Sequence, residues 1–192
     1  MLNIVLFGAP GCGKGTQAAK LKEKYGINHV STGEIIRNEI KQGTALGKQV
    51  EWCIEHGQLA PDEVVTGIIA EYVENHSDCA GNIFDGFPRT TNQAVCFDKI
   101  LAGHGLKVDA MIYMEVPEEE LVKRILLRGK DSGRADDASE DVIRTRIETY
   151  RKQTAIVADH YSAQDKYAAV NGLGTVEEVF DRICEVIDAH RG

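Results

Sequence analysis

This sequence of 192 residues has no long apolar run, few aromatic side chains and no excess of positive charge. Aromatic residues make up 6% of the chain, with a single Trp. No stretch approaches the roughly 18 consecutive apolar residues that a membrane-spanning helix needs. The apolar run at residues 1–7 has neither a basic flank nor a small-residue cleavage site. We therefore expect no membrane partner and a cytoplasmic location.

The charge balance is acidic, with 30 Asp and Glu against 22 Lys and Arg, a net charge of -8. A protein of this charge has no overall positive field with which to attract a polyanionic nucleic acid. The sequence therefore predicts no nucleic-acid partner.

Cysteine pairs are also missing. The chain has five cysteines, an odd number, and no Cys-x-x-Cys motif. This pattern favours reduced thiols in a reducing compartment. The six histidines show no metal-ligand spacing, and we interpret all of them as surface or helix-end residues. Trp52 is interpreted as a packing residue.

Strand and helix patterns alternate along the chain. Short apolar runs predict strands at 3–7, 82–84, 109–116 and 166–171. Helical patterns occupy 16–25, 32–42, 45–56, 61–75, 92–102, the region from Pro117 past Arg128, 139–162, and the region from Thr175 to 189. Ser31 with Glu34, and Thr175 with Glu178, have the capping-box spacing. The alternation predicts one α/β domain with a parallel sheet covered on both faces.

Residues 129–138 interrupt this pattern, because nearly all of them are small or charged. The segment is predicted to be a mobile excursion outside the core.

Glycines crowd the turn between the first strand and the first helix. Residues 8–16, GAPGCGKGT, are called the phosphate loop below. Glycines let the backbone wrap closely around a phosphate, the following helix contributes its dipole, and Lys14 adds a positive charge. The pattern Gly-x4-Gly-Lys-[Ser/Thr] fails at Gly15, so metal ligation through Thr16 is less secure. The chain lacks the Asn-Lys-x-Asp guanine motif of a GTPase.

Five segments occur in the order found in nucleoside monophosphate kinases. They are 8–17 (GAPGCGKGTQ), 31–37 (STGEIIR), 57–62 (GQLAPD), 85–93 (DGFPRTTNQ) and 133–137 (GRADD). Over essentially its whole length the chain resembles this family, and within it the adenylate kinases. Gly-Lys-Gly-Thr is that family's own form of the loop, so the departure at Gly15 supports the resemblance.

The resemblance implies a P-loop three-layer α/β fold with a five-stranded parallel sheet. It places the core at residues 1–30, 61–126 and 138–192, a helical NMP-binding insertion at 31–60, and a short lid at 127–137. Long-lid relatives often carry a zinc-binding cysteine set in the lid. This chain has no cysteine between Cys96 and Cys184, so we predict no structural zinc.

The implied activity is reversible phosphoryl transfer between ATP and AMP, which gives two ADP and uses Mg²⁺. Bringing two polyanions together requires cations to converge, and catalysis consists mostly of positioning and electrostatic stabilisation. An acidic chain can achieve this only by gathering some of its ten arginines in one cleft. Arginine suits the task because its planar fork meets phosphate oxygens bidentately. Freely moving insertions favour a monomer.

The resemblance also implies roles for individual residues. ATP would be held by Gly11, Cys12, Gly13, Lys14, Gly15, Thr16, Arg128 and the backbone carbonyl of Gly174. AMP would be held by Thr32, Arg37, Gln58, Leu59, Ala60, Gly86, Phe87, Pro88, Arg89, Gln93, Arg134 and Arg146. The catalytic set would be Lys14, Arg89, Arg124, Arg134 and Arg146. Asp136 and Asp137 would tie the closed lid, and Asp85 with Thr16 would hold Mg²⁺, the carboxylate through water.

Two questions stay open at this stage. Arg144 is a rival to Arg146, which we favour because Ile147-Glu-Thr-Tyr150 follows it as in the family. A UMP/CMP kinase and an inactive nucleotide sensor are alternative functions. Thr32, Thr90 and Gln93 resemble the AMP-selective pattern, and every nominated cationic position is filled.

Overall fold

The computed structural model describes residues 1–76, 79–137 and 139–190, so predictions for residues 77, 78, 138, 191 and 192 lie outside the described residues. The strands are β1 (Leu2–Phe7), β2 (Asn28–Ser31), β3 (Gly81–Asp85), β4 (Ala110–Glu115) and β5 (Tyr167–Asn171). They form one parallel sheet in the order β2-β3-β1-β4-β5. Because all strands run the same way, their carboxyl ends share one edge of the sheet.

The α-helices are α1 (Lys14–Tyr25), α2 (Thr32–Gln42), α3 (Ala45–Glu55), α4 (Asp62–Asn75), α5 (Thr91–Gly103), α6 (Glu118–Ser132), α7 (Glu140–Thr149), α8 (Val157–Ser162) and α9 (Val176–His190). A 3₁₀ turn, Ala135–Asp137, lies between α6 and α7. Both predicted caps form: the Ser31 hydroxyl accepts the Glu34 N–H, and Thr175 and Glu178 cap each other reciprocally.

The sheet separates two apolar cores. Along β1, Ile4 and Leu6 face one core while Val5 and Phe7 face the other, and all four are buried. This alternation makes the central strand apolar throughout, as expected for a parallel sheet with helices on both faces. The predicted three-layer α/β fold with five parallel strands is confirmed.

Pattern analysis from the residues missed β2. This strand has four residues and lies at the edge of the sheet, next to β3. Of its four side chains that of Val30 is buried, so the strand gives a weak apolar signal. The interpretation of His29 as a surface or helix-end residue is wrong. Its side chain is 17% exposed and contacts Asp85, because β2 brings it to the functional edge of the sheet.

The predicted continuous helix at 139–162 is interrupted. A π-helical turn, Tyr150–Thr154, separates α7 from α8, and the Ala155 N–H donates to the Tyr150 carbonyl at 2.8 Å. No glycine or proline marks the break in the sequence. The buried side chains of Thr149, Tyr150 and Thr154 instead line the cleft described below, which is where such turns frequently occur.

Two further interpretations are corrected. The segment 129–138 is not wholly outside the core, because α6 continues to Ser132 and both Asp136 and Asp137 are buried. Trp52 is not a packing residue: it is 63% exposed and stacks on His56 with ring centroids 4.5 Å apart.

Within the described residues, no helix combines the length and apolar character required to cross a bilayer. All five cysteines are free thiols.

Candidate active site

A cleft of about 910 Å³ opens at the carboxyl edge of the sheet. Its floor consists of residues that follow β1 and β3, and its walls come from α2, α6, α7 and the turn before α9. Every predicted site residue except Asp137 lines this cleft. Open parallel sheets place ligand sites at this edge, because loops from neighbouring strands converge there.

The phosphate loop is held tightly by its glycines. Gly8 has a φ of 147°, and a Cβ there would lie 2.9 Å from the Met114 carbonyl oxygen. Gly11 has a φ of 85°, and its Cβ would lie 3.0 Å from the Leu121 carbonyl oxygen. Larger residues would be strained at both positions. The loop leads directly into α1 at Lys14, so the positive end of that helix dipole faces the cleft.

Lys14 curls back over this loop. Its ammonium group donates to the Gly8 carbonyl at 2.7 Å and to the Ala9 carbonyl at 3.2 Å. The lysine charge is thereby positioned by main-chain groups only five and six residues away. Cys12, whose Sγ lies 3.5 Å from Lys14 Nζ, is buried inside the loop.

A carboxylate stands beside the loop, at the end of β3. Asp85 Oδ2 lies 3.3 Å from His29 Nε2. Burial would raise the pKa of Asp85, but the hydrogen bond from His29 and the charge of Lys14 outweigh it and hold that pKa below its ordinary value. Asp85 is therefore ionised at neutral pH. One carboxylate suits Mg²⁺, which keeps most of its waters and takes its remaining ligands from substrate phosphates.

Four arginines from distant parts of the chain form the arginine cluster: Arg37, Arg89, Arg134 and Arg146. Burial, followed by the charge of Arg134, lowers the pKa of Arg37 to about 10. Burial and the charge of Arg146 lower the pKa of Arg89, whose Nε donates to the Gly86 carbonyl at 2.6 Å. Burial and the charge of Arg128 lower the pKa of Arg134. The four guanidinium groups therefore concentrate positive charge in one cleft of an acidic protein.

In the predicted lid, Asp136 and Asp137 form ion pairs with arginines of α6 and α7. Arg128 contacts both oxygens of Asp137, at 2.7 and 2.8 Å, and Arg146 Nη1 donates to Asp137 Oδ1 at 2.6 Å. Arg146 Nη2 also lies 3.2 Å from Asp136 Oδ2. Burial would raise the pKa of Asp137, but hydrogen bonds and charge from Arg128 and Arg146 hold it below its usual range.

The structure separates the two rival arginines. Arg146 lines the cleft and its side chain is 16% exposed, whereas Arg144 is 60% exposed and pairs with Glu140 at 2.6 Å one helical turn away. This placement favours Arg146 as the arginine that faces substrate.

The opposite wall contains the residues assigned to AMP. The Thr32 hydroxyl donates to the Gly86 carbonyl at 3.0 Å. The buried Gln93 accepts the Arg89 backbone N–H at 2.7 Å and donates to Asp62 Oδ1 at 2.7 Å. Half of the Gln93 amide's hydrogen-bonding capacity is therefore committed to the protein.

Arg124 and Gly174 lie at the side of the cleft that the resemblance assigns to ATP. The Arg124 guanidinium contacts the Gly172 carbonyl at 3.3 to 3.4 Å and pairs with Glu120 at 2.8 Å. Gly174 has a φ of 118°, and a Cβ there would lie 2.5 Å from Glu178 Oε2. The Thr175–Glu178 cap therefore fixes the turn that carries the Gly174 carbonyl.

Sequence reasoning gave no role to His29 and Tyr150, which line the cleft, or to Asp62, which contacts the cleft residue Gln93. Asp62 was recognised only as an acidic residue at a helix start, and its position within the 57–62 motif was the available signal. His29 lies in the strand that was missed, and Tyr150 in the unsignalled π-helical turn. For these two residues the local sequence carries no indication of the role.

Comparisons with known proteins agree with the geometry. The profile of the family described as "Adenylate kinase" matches residues 6–166. A protein named adenylate kinase from Bacteroides thetaiotaomicron is 52% identical over 188 residues, covering 98% of this chain and 99% of the relative. Similar relatives of the same name occur in Flavobacterium johnsoniae (50% identical; 98% and 99% covered) and Porphyromonas gingivalis (44% identical; 100% and 98% covered). The chain belongs to the adenylate kinase family.

Proposed function

We propose how the cleft divides between the two nucleotides in the reaction of this family, the reversible transfer of a phosphoryl group between ATP and AMP that gives two ADP. The observation that carries the proposal is the convergence of the phosphate loop and the arginine cluster on one cleft. Two polyanions can share a cleft only where fixed cations offset their mutual repulsion.

ATP occupies the side of the phosphate loop. Backbone N–H groups of residues 11–16 and the α1 dipole surround its β- and γ-phosphates, and Lys14 supplies the point charge. Arg128 and the Gly174 carbonyl contact the rest of the nucleotide. This assignment is supported by the glycine conformations and by the two carbonyls that orient Lys14.

AMP occupies the side of α2 and α5. Thr32, Arg37 and the segment 58–60 line this side, together with 86–89 and Gln93. The guanidinium groups of Arg37 and Arg89 would hold the α-phosphate, and the Gln93 amide would read the adenine edge through one donor and one acceptor.

The remaining cations act on the phosphoryl group in transit. Arg124, Arg134 and Arg146, with Lys14 and Arg89, stabilise the charge that spreads over its equatorial oxygens, because they are already oriented before reaction. Asp85, through water, and Thr16 would hold Mg²⁺, which would supply positive charge to offset the charge that develops on the phosphates.

The lid serves to exclude water. Asp136 and Asp137, by pairing with Arg128 and Arg146, hold residues 133–137 over the cleft. Water left in the cleft would accept the phosphoryl group, so ATP would be hydrolysed without formation of ADP from AMP.

A coupled assay with AMP, UMP, CMP and GMP as acceptors tests the assignment. AMP is expected to give the highest kcat/KM, because Thr32, Thr90 and Gln93 resemble the AMP-selective pattern of the family. Fastest turnover with UMP or CMP would contradict it, and absence of ADP from an ATP and AMP mixture would indicate the nucleotide sensor instead. Neither alternative is favoured by the family match.

The proposal also includes a cytoplasmic monomer that binds neither nucleic acid nor membrane and contains no structural zinc. Among the described residues, no group of three or more His, Cys, Asp and Glu side chains could hold a metal ion. Light scattering of the purified chain tests the monomer, and metal analysis tests the absence of zinc.

A further inference from the structure

The orientation of the Gln93 amide is fixed by two contacts of opposite character. Its Oε1 accepts the Arg89 backbone N–H at 2.7 Å, and its Nε2 donates to Asp62 Oδ1 at 2.7 Å. A rotation by 180° would place an N–H group against an N–H group and an oxygen against a carboxylate oxygen. Both contacts would become repulsive, so only one orientation of the amide is compatible with its neighbours.

Asp62 is itself held by several donors. Its Oδ2 accepts the Thr90 hydroxyl at 2.9 Å and the Asn92 side-chain amide at 3.1 Å. The Thr90 oxygen in turn accepts the Gln93 backbone N–H at 3.1 Å, which caps α5. Asp62 lies in the first turn of α4, where the helix dipole favours a negative charge. The carboxylate therefore links α4 to the start of α5 and cannot easily turn away from Gln93.

We propose that Asp62 is a positioning residue that determines purine specificity. By fixing the orientation of the Gln93 amide, it makes the AMP side of the cleft bind a 6-aminopurine and reject a 6-oxopurine. This inference rests on the proposed role of Gln93 at the AMP base. With the amide locked, one Nε2–H and one Oε1 lone pair remain for the ligand.

The chemistry of the two bases explains the selection. Adenine presents a donor at its 6-amino group and an acceptor at N1. Hypoxanthine has the reverse pattern, with an acceptor at O6 and a donor at N1. Because ribose and phosphate set where the base enters, a fixed amide can pair with only one of these patterns. An amide free to rotate could adapt to either, and a site with buried polar groups rejects a ligand that leaves them unpaired.

The test is the ratio of kcat/KM for AMP to kcat/KM for inosine monophosphate in Asp62→Asn. The neutral amide at position 62 could accept from Gln93 or donate to it, so the lock is loosened at nearly constant shape. The ratio is expected to fall about tenfold, the order of one hydrogen bond to a charged group. The ratio does not depend on the concentration of active enzyme, so partial misfolding does not alter it.

Glu63→Gln is the matched control. Glu63 is the neighbouring carboxylate in the same first turn of α4 and is exposed, whereas the side chain that accepts from Gln93 Nε2 is that of Asp62. Glu63→Gln removes the same charge from the helix start. The ratio of kcat/KM for AMP to that for inosine monophosphate is expected to stay at the wild-type value. An Asp62→Asn enzyme that loses activity equally with both acceptors would show a merely structural role and overturn the inference.

A second variant covers the case in which Asp62→Asn yields no folded protein. Asn92 is exposed and donates to Asp62 Oδ2, so Asn92→Ala removes one of the two donors to that oxygen with little risk to folding. Its ratio is expected to fall about twofold, and an unchanged ratio would overturn the inference.

Gln93→Leu distinguishes this inference from the proposed function beneath it. An unchanged AMP to inosine monophosphate ratio in Gln93→Leu would show that Gln93 does not read the base, and the proposed AMP site would fail. A lowered ratio in Gln93→Leu together with an unchanged ratio in Asp62→Asn would leave the AMP site standing and remove Asp62 from it.

Discussion

The phosphate loop and the predicted lid both present positive charge to the same cleft, but they are built in different ways. The phosphate loop is nine consecutive residues whose cation, Lys14, is oriented by carbonyls five and six positions away. The lid depends on Asp137, which lies between Arg128 of α6 and Arg146 of α7. One region is stabilised by main-chain geometry and the other by ion pairs between different elements.

This difference suggests a division of labour. A loop whose backbone is fixed by glycines needs no partner to keep its shape, so it can bind phosphate without rearranging. A lid held by carboxylate and guanidinium pairs can exchange those pairs for phosphate oxygens, because both are bidentate acceptors for arginine. Substitutions in each region should therefore reduce activity or stability to different extents.

The largest effect is expected from the loop. Lys14→Met should lower kcat/KM for ADP formation by about 10² to 10³-fold, the cost of removing one preorganised electrostatic contact. The thermal midpoint should change little, because glycines and not Lys14 set the loop backbone. Lys22→Met, on the exposed side of α1, is the control and should retain activity. Wild-type turnover in Lys14→Met would remove this lysine from the mechanism.

The next effect concerns the two rival arginines of α7. Arg146→Met should reduce kcat by about 10²-fold, because it removes a guanidinium that lines the cleft. Arg144→Met should change kcat by less than about twofold, since an exposed i, i+4 ion pair contributes only a few tenths of a kcal/mol. Steady-state kinetics of both variants decide the question, and the reverse ranking would make Arg144 the catalytic arginine.

A smaller effect is expected where the lid packs on α6. A Cβ at Gly129 would lie 2.7 Å from the Asp137 carbonyl oxygen, so Gly129→Ala must displace the residue that pairs with both arginines. We expect transfer to fall about tenfold, by analogy with small misplacements of positioning groups, and the ratio of ATP hydrolysis to transfer to rise.

Gly67→Ala provides the matched helical control for that experiment. A Cβ at Gly67 meets nothing within 4 Å, so this substitution should stabilise the fold by roughly 0.5–1 kcal/mol without affecting transfer. An unchanged hydrolysis ratio in Gly129→Ala would argue against water exclusion by the lid.

The smallest effect is a pH dependence of stability. The folded state lowers the pKa of Asp137, so this group contributes stability above its unfolded pKa of about 3.9, and the contribution disappears as pH falls through the lower folded value. Asp137→Asn should lower the free energy of unfolding by on the order of 1 kcal/mol at pH 7. The difference from wild type should shrink below about pH 4 in denaturant titrations. A difference that is independent of pH would exclude charge as its cause.

The comparison also shows which features could be predicted from the residues. The phosphate loop was identified with its strand and helix, because its glycines, lysine and apolar flanks are contiguous. Helices α2 and α4 were predicted within one residue of their observed ends, because caps and stops are local signals. The five-strand count came from the family resemblance, since the polar strand β2 escapes pattern analysis.

Other features depended on residues that meet only in three dimensions. The exposure of Trp52, the burial of Asp136 and the break of the 139–162 helix at Tyr150 were not predicted. None of them follows from the local pattern, because tertiary packing routinely outweighs local propensity.

By itself the sequence determined the α/β class, the phosphate loop with Lys14, and the family, because these depend on residues adjacent along the chain or on ordered motifs. Only the tertiary structure decided that Arg146 and not Arg144 lines the cleft, that His29 reaches Asp85, and that Asp62 accepts a hydrogen bond from Gln93. The physical reason is that hydrogen bonds, burial and ion pairing depend on distance in space, and folding brings together side chains that are tens of residues apart.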